Sequence, residues 1–149
     1  MDDSNWIYML ERMQSIRYFS KVMIRRATKE YQIPAEHLDL LSQLAVSNEK
    51  MTPMTLSKLM KTDKTIISRI IEQLNNKGYL IKTKDENDKR SYFVSITELG
   101  EEQLRSIYKH YLGPIYELRR KIGDNDFFQL MEYIEEANKK MNEHEEGIY

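Results

Sequence analysis

At 149 residues the chain has room for one domain with a sizeable core, and 32% charged against 40% hydrophobic residues is the balance of a folded, water-compatible chain, not a disordered one. There is no cysteine, which excludes disulfides, thiolate metal sites and redox-sensing thiols, and the net charge of −1 does not by itself point to nucleic acid. No apolar run approaches the roughly 20 residues of a membrane span and the N-terminus lacks a signal-peptide pattern, so a cytoplasmic location is expected.

In chain order, residues 5–31 predict one long helix. Trp6, Met9, Leu10, Met13, Ile16, Met23 and Ala27 trace a helical stripe that Tyr8, Tyr18, Phe19 and Val22 widen. A small domain seldom buries a stripe that broad, so part of it is expected to face a partner chain. The helix should stop before Ile33-Pro34, because proline restricts the residue ahead of it and suits a helix start. Leu38, Leu41, Leu44 and Ala45 predict a second, shorter helix. A polar loop over residues 47–50 follows, then residues 51–54 as a short strand or entry segment.

Residues 55–100 read as a winged helix-turn-helix. A short amphipathic segment over 55–61 is broken at Thr62-Asp63, and a longer helix over 64–77 is closed by Gly78 at its C′ position. Two strand-like runs, 79–84 and 91–96, flank a polar loop over 85–90. In the longer helix Ile66 or Ile67, Ile70, Ile71 and Leu74 give one face to a core. Lys64, Thr65, Ser68 and Arg69 lie at its leading turns on the other side, where short donors and a long cation reach base edges and phosphates in a major groove. Thr62, in the turn just ahead of them, is a further candidate for DNA contact. Lys89 and Arg90, at the far end of the polar loop, suit a minor groove or the adjacent backbone, and Asp88 is expected to pair with Arg90 and hold the loop. An ordinary solvated face would also be cationic in places. However, residues 55–92 hold nine Lys/Arg against five Asp/Glu, whereas 98–149 hold seven against twelve and 1–54 hold seven of each. The positive excess therefore coincides with the segment that reads as a DNA reader.

Beyond it, Thr97 is a natural N-cap for a helix whose apolar stripe runs Leu104, Ile107, Tyr108, Tyr111, Leu112, Ile115, Leu118, Ile122. Gly113-Pro114 should break that run, since an interior proline costs on the order of 3 kcal/mol. Gly123-Asp124 resets the chain for a last helix striped by Phe127, Leu130, Met131, Ile134 and Met141. The polar tail from residue 142 is expected to fray.

Lys77-Gly78-Tyr79-Leu80, then Asp85, Asp88 and Arg90 in the D-x-x-D-x-R spacing, then Val94-Ser-Ile96-Thr97-Glu-Leu-Gly100 resemble the signature of MarR-type regulators, with no gap in the spacing. The resemblance extends over nearly the whole chain. Lys82 stands where that family often has Arg, Glu86 where it often has Pro and Ile96 where Leu is usual; the first would soften backbone or base contact near the wing. The resemblance implies a mainly α fold with a small β wing, as one domain over 1–149. Within it, helices over about 1–33 and 101–149 dimerise, and the winged helix-turn-helix lobe spans about 35–100. Residues 51–54 would complete a three-stranded wing sheet. It further implies a homodimeric, sequence-specific repressor of a pseudo-palindromic operator. Thiol-based peroxide sensing, known in one branch of such proteins, is excluded by the missing cysteines.

The histidines are His37, His110 and His144. Some MarR-like proteins sense zinc, so Glu30, Glu36, His37 and His110 are candidate ligands, but no HxxxH or HExxH pair places two on one helix face and no metal is expected. Ten tyrosines and nine methionines suit core and dimer packing. They also suit an adaptable pocket for a small lipophilic or phenolic effector, the kind of ligand MarR-like proteins commonly bind; Met13, Arg17, His37 and Tyr111 are its candidate residues, with Arg17 the anion partner. No Gly-rich phosphate loop, GxSxG or other catalytic set occurs, so neither an enzyme nor a cofactor is expected. The rival readings are a metal-responsive regulator of the same fold and a winged-helix module that binds protein.

Overall fold

The structure, a computed structural model, describes residues 3–24 and 31–148, with side chains over 4–24 and 31–143. It divides into two compact units, residues 26–110 and residues 1–25 with 111–149. The first long helix, α1 (Trp6–Met23), belongs to the latter.

In the former unit, leucines and isoleucines build a small core. Helix α2 (Ala35–Ser47) starts behind Pro34, buries Leu38, Leu40, Leu41 and Leu44, and ends at Asn48 in a left-handed conformation (φ 54°). Ala45, expected on the buried stripe, is exposed. Helix α3 (Pro53–Met60) begins two residues earlier than the expected Thr55, because Thr52 accepts the Thr55 N–H at 3.1 Å and Pro53 fits the first turn. It stops at Lys61, also left-handed (φ 51°). Helix α4 (Lys64–Asn76) is capped by Asp63 and buries Ile67, Ile70, Ile71 and Leu74, leaving Ile66 half-covered.

The end of α4 explains the glycine after it. Gly78 N–H donates to the Asn75 carbonyl and Tyr79 N–H to the Leu74 carbonyl, both at 3.0 Å, a Schellman-type closure in which Gly78 carries φ +79°. Strands β1 (Leu80–Lys84) and β2 (Tyr92–Ile96) pair antiparallel, with Leu80 opposite Ile96 and Lys84 opposite Tyr92. Met51 exchanges both backbone hydrogen bonds with Val94, at 2.9 and 2.7 Å, so the expected third strand is a single-residue bridge. Thr52 already serves as the cap of α3 and leaves no room for a longer one. Helix α5 (Glu98–Tyr111) follows β2 directly and buries Ile107.

In the other unit a short 3-10 turn (Asp3–Asn5) leads into α1. The expected run to Tyr31 is interrupted: Ile24 is extended (φ −100°, ψ 106°) where the β-branched Val22 and Ile24 weaken the helix. Ala27 and Glu30 lie outside the described residues. No residue of α1 is buried, although it packs on α6 (Gly113–Ile122). Pro114 occupies the first turn of α6, so Gly113-Pro114 divides α5 from α6 as its chemistry requires. Arg119 Nε donates to Asp124 Oδ1 at 2.9 Å across the Gly123 turn, and its guanidinium stacks over Phe128. Helix α7 (Asp124–Ile148) then continues past residue 142, where fraying was expected. Among the described residues no helix is long and apolar enough to cross a membrane.

Candidate nucleic-acid interface

Helix α4 has two faces with different chemistry. Its isoleucine face is fully buried, so the helix cannot rotate without exposing Ile67, Ile70 and Ile71. That constraint points Lys64, Thr65, Ser68 and Arg69 outward, all four exposed and paired at i,i+4 spacing. Arg69 lies 3.8 Å from Glu36 of α2, and both side chains are more than half exposed. An ion pair that open is worth little and exchanges readily for a phosphate or base. Thr62 is half-buried, and its hydroxyl donates to the Met60 carbonyl at 3.0 Å. Ser57 Oγ in turn donates to the Thr62 carbonyl, so Thr62 helps fix the turn that presents α4.

The wing loop between β1 and β2 is shaped by two aspartates three residues apart. Asp85 Oδ1 accepts the Asn87 N–H and Asp88 Oδ1 accepts the Arg90 N–H, each at 3.0 Å, and the Asp88 carbonyl accepts the Ser91 N–H at 3.1 Å. These are Asx turns, which occupy a carboxylate with its own backbone. Asp88 thus pairs with Arg90 through the main chain and not through the guanidinium, because the turn brings the amide to the carboxylate. Lys89 and Arg90 stand exposed at the tip.

Lys82 has a different place from the one its position in the motif implies. Its ammonium pairs with the Glu72 carboxylate on α4 and lies 5.1 Å from the Tyr92 ring centre, so it braces β1 against α4. At the base of the wing, Thr97 Oγ1 donates to the Gly78 carbonyl at 2.6 Å and accepts the Gly100 N–H at 3.1 Å. Gly100 passes so close to Tyr79 that an added Cβ would lie 2.2 Å from the Tyr79 carbonyl oxygen. The Lys-Gly pair and the Thr-x-x-Gly of the motif therefore meet in space, and they join the end of α4 to the start of α5.

Glu72 and Gln73 went unmarked in the sequence as contributors to this region, and Asp85 entered only as a member of the motif. Asp85 carries a readable signal, an Asp two residues ahead of an amide in a polar loop. Glu72 and Gln73 carry none, since their partners are distant in sequence. Gln73 Oε1 stands 2.8 Å from His37 Nε2, between α4 and α2. His37 is buried, 6% exposed, and its Nδ1 has no hydrogen-bond partner among the described residues. Burial pulls its pKa below 6.5, the nearby Lys77 and Arg69 cations add to that, and the Gln73 bond and Glu36 oppose it.

Of the four effector-pocket candidates, Met13 and Arg17 are exposed on α1 and Tyr111 is half-buried at the end of α5, all in one unit. His37 belongs to the other. Among the described residues no group of three His, Asp or Glu could hold a metal ion.

The profile of the "Winged helix DNA-binding domain" family matches residues 35–100, the stretch that holds α2 to β2 and the start of α5. The transcriptional repressor MprA of Escherichia coli K12 is 22% identical over 107 residues, which is 72% of this chain and 61% of MprA. The chain thus spans about three fifths of the length of that relative. Among solved structures, a mutant of E. coli MarR complexed with operator DNA is 20% identical, with 92% of this chain and 98% of that one covered at a TM-score of 0.61. NadR in complex with 4-hydroxyphenylacetate is 17% identical, with 92% and 93% covered at a TM-score of 0.66.

Proposed function

We propose that this chain, whose residues 35–100 match a winged-helix DNA-binding family and whose fold is that of the MarR regulators, works as a homodimeric, sequence-specific transcriptional repressor. The observation that carries this reading is the fixed outward face of α4, with Lys64, Thr65, Ser68 and Arg69, beside a wing whose tip ends in Lys89 and Arg90. The α4 face would enter a major groove and the wing tip would meet the minor groove or backbone alongside. Thr62 and Asp88 would hold the turn and the wing in position.

A dimer is supported by α1, on which Trp6, Met9, Leu10, Met13 and Ile16 are each half or more exposed. Each chain would act as one domain, its arms over about 1–33 and 101–149 pairing with a second copy and its lobe over about 35–100 reading one half-site. The operator would be pseudo-palindromic, with half-sites about 10 bp apart or a multiple. MprA is a repressor, and the MarR mutant was captured on operator DNA. NadR is in complex with 4-hydroxyphenylacetate, which supports a small lipophilic or phenolic effector here, with Met13, Arg17, His37 and Tyr111 as the residues to test for it. An effector would act by favouring a spacing of the two α4 helices that no longer matches the grooves. The site of action is the cytoplasm.

The test is binding of the purified protein to the DNA upstream of its own gene and to duplexes selected from a random pool, across a salt series. Tight binding with a steep negative salt slope is expected. No binding to either would overturn the reading and leave a winged-helix module for protein. Affinity that depends on added zinc and is lost in His37→Ala would replace the phenolic effector with a metal.

A further inference from the structure

The contact between His37 and Gln73 joins the DNA-reading helix α4 to the helix behind it, and its chemistry is asymmetric. Gln73 Oε1 is an acceptor only, so at 2.8 Å the proton of the shared bond belongs to His37 Nε2. In a neutral imidazole the other nitrogen, Nδ1, is then a bare lone pair, and it is buried with no partner among the described residues. A lone pair without a partner is tolerable there. A second proton on the ring would put an N–H and a positive charge at the same spot, with nothing among the described residues to accept the one or solvate the other.

We propose that His37 is a positioning residue for DNA binding: its neutral ring ties α4 to α2 through Gln73, and a proton on the ring releases the helix and weakens operator affinity. This rests on the DNA-binding reading above.

The charges facing His37 agree with that direction. From α4 and its C-cap, Arg69 and Lys77 oppose a cation at the ring, and from α2 only Glu36 favours one. Glu36 is also shared with Arg69 at 3.8 Å. Folding depresses the His37 pKa below 6.5, so between that value and 6.5 the unfolded chain holds the extra proton. The stability contributed by the neutral ring is therefore complete above 6.5 and is lost as pH falls through the lowered value. DNA selects the seated helix, so it selects the unprotonated ring as well.

Glutamine at position 37 can place an amide N–H where Nε2–H lies and cannot titrate. The experiment measures affinity for a duplex selected from a random pool, at constant ionic strength, between about pH 7.5 and about pH 5.5. Wild type should lose affinity steadily as pH falls over that range, while His37→Gln holds the tie and shows a flat profile. Gln73→Leu should bind more weakly at the upper pH, because the ring loses the acceptor through which it holds α4 to α2. Parallel profiles for wild type and His37→Gln would overturn the proposal. If no protein binds any duplex, the DNA reading fails, and urea unfolding with imidazole 15N spectra decides the tie by itself. A midpoint that falls with acid in wild type but not in His37→Gln, with the proton on Nε2 at neutral pH, supports it; parallel midpoints or a proton on Nδ1 overturns it.

Discussion

Arg90 and Arg69 are both exposed cations, yet their settings give them different work. The Arg90 amide is held by Asp88 while its guanidinium has no protein partner among the described residues, so its charge is available to any phosphate or narrow groove. Arg90→Ala should weaken binding by a similar factor on every sequence and flatten the salt slope by about 1 for each protomer, read from titrations at several salt concentrations. Undiminished affinity at physiological salt would remove Arg90 from the interface. Arg69 stands on the outward face of α4, already oriented by Glu36. A cation at that place can span the two acceptors of a guanine, a contact worth about 1–3 kcal/mol of discrimination. Arg69→Ala should accordingly relax preference at one position in each half-site, as seen in selection from a random pool, and an unchanged preference would show that it meets only phosphate.

At the scale of elements, the wing and α4 form one assembly because their ends are tied to each other. Thr97 caps α5 and donates to Gly78, and Gly100 lets the backbone of α5 lie against the Tyr79 carbonyl. Gly100→Ala would put a methyl carbon 2.2 Å from that oxygen, and the obstacle is main chain that cannot swing aside. The variant should lose about 1–3 kcal/mol, the usual range for overpacking, measured as a lower urea midpoint with unchanged m-value. Much of this arrangement is legible in the sequence, since the isoleucine face of α4, the Gly78 stop, the Thr97 cap and the Gly113-Pro114 break all act within a few residues. The placement of Lys82 is not legible, because its partner Glu72 is ten residues away and the motif alone points Lys82 toward DNA. The His37–Gln73 bond spans 36 residues, and no local pattern announces it. The start of α3 is ambiguous in sequence because Thr52 and Thr55 both suit a cap, and only the structure shows Thr52 in that role. The end of α1 is masked in the same way, because an apolar stripe continues through Ile24 after the helix has stopped.

For the whole molecule the decisive quantity is the number of lobes that engage DNA at once. Trp6, Met9, Leu10, Met13 and Ile16 leave α1 with more apolar surface in water than an isolated chain gains from, which is the physical argument for a second copy. Two lobes each supplying Lys64, Lys89 and Arg90 to phosphates would give a slope of log affinity against log salt of about −5, and a single lobe half of that. Joining two weak readers also raises affinity by about 10²–10⁴ without any new contact to DNA. Leu10→Glu combined with Ile16→Glu places two carboxylates on exposed positions of α1, where no buried packing is lost. The variant should sediment as a monomer with its thermal melt intact in the lobe, bind operator at least about 10²-fold more weakly and show half the salt slope. A variant that stays dimeric would move the interface off this face of α1, and a monomer with the full slope would mean that one lobe alone makes all the phosphate contacts.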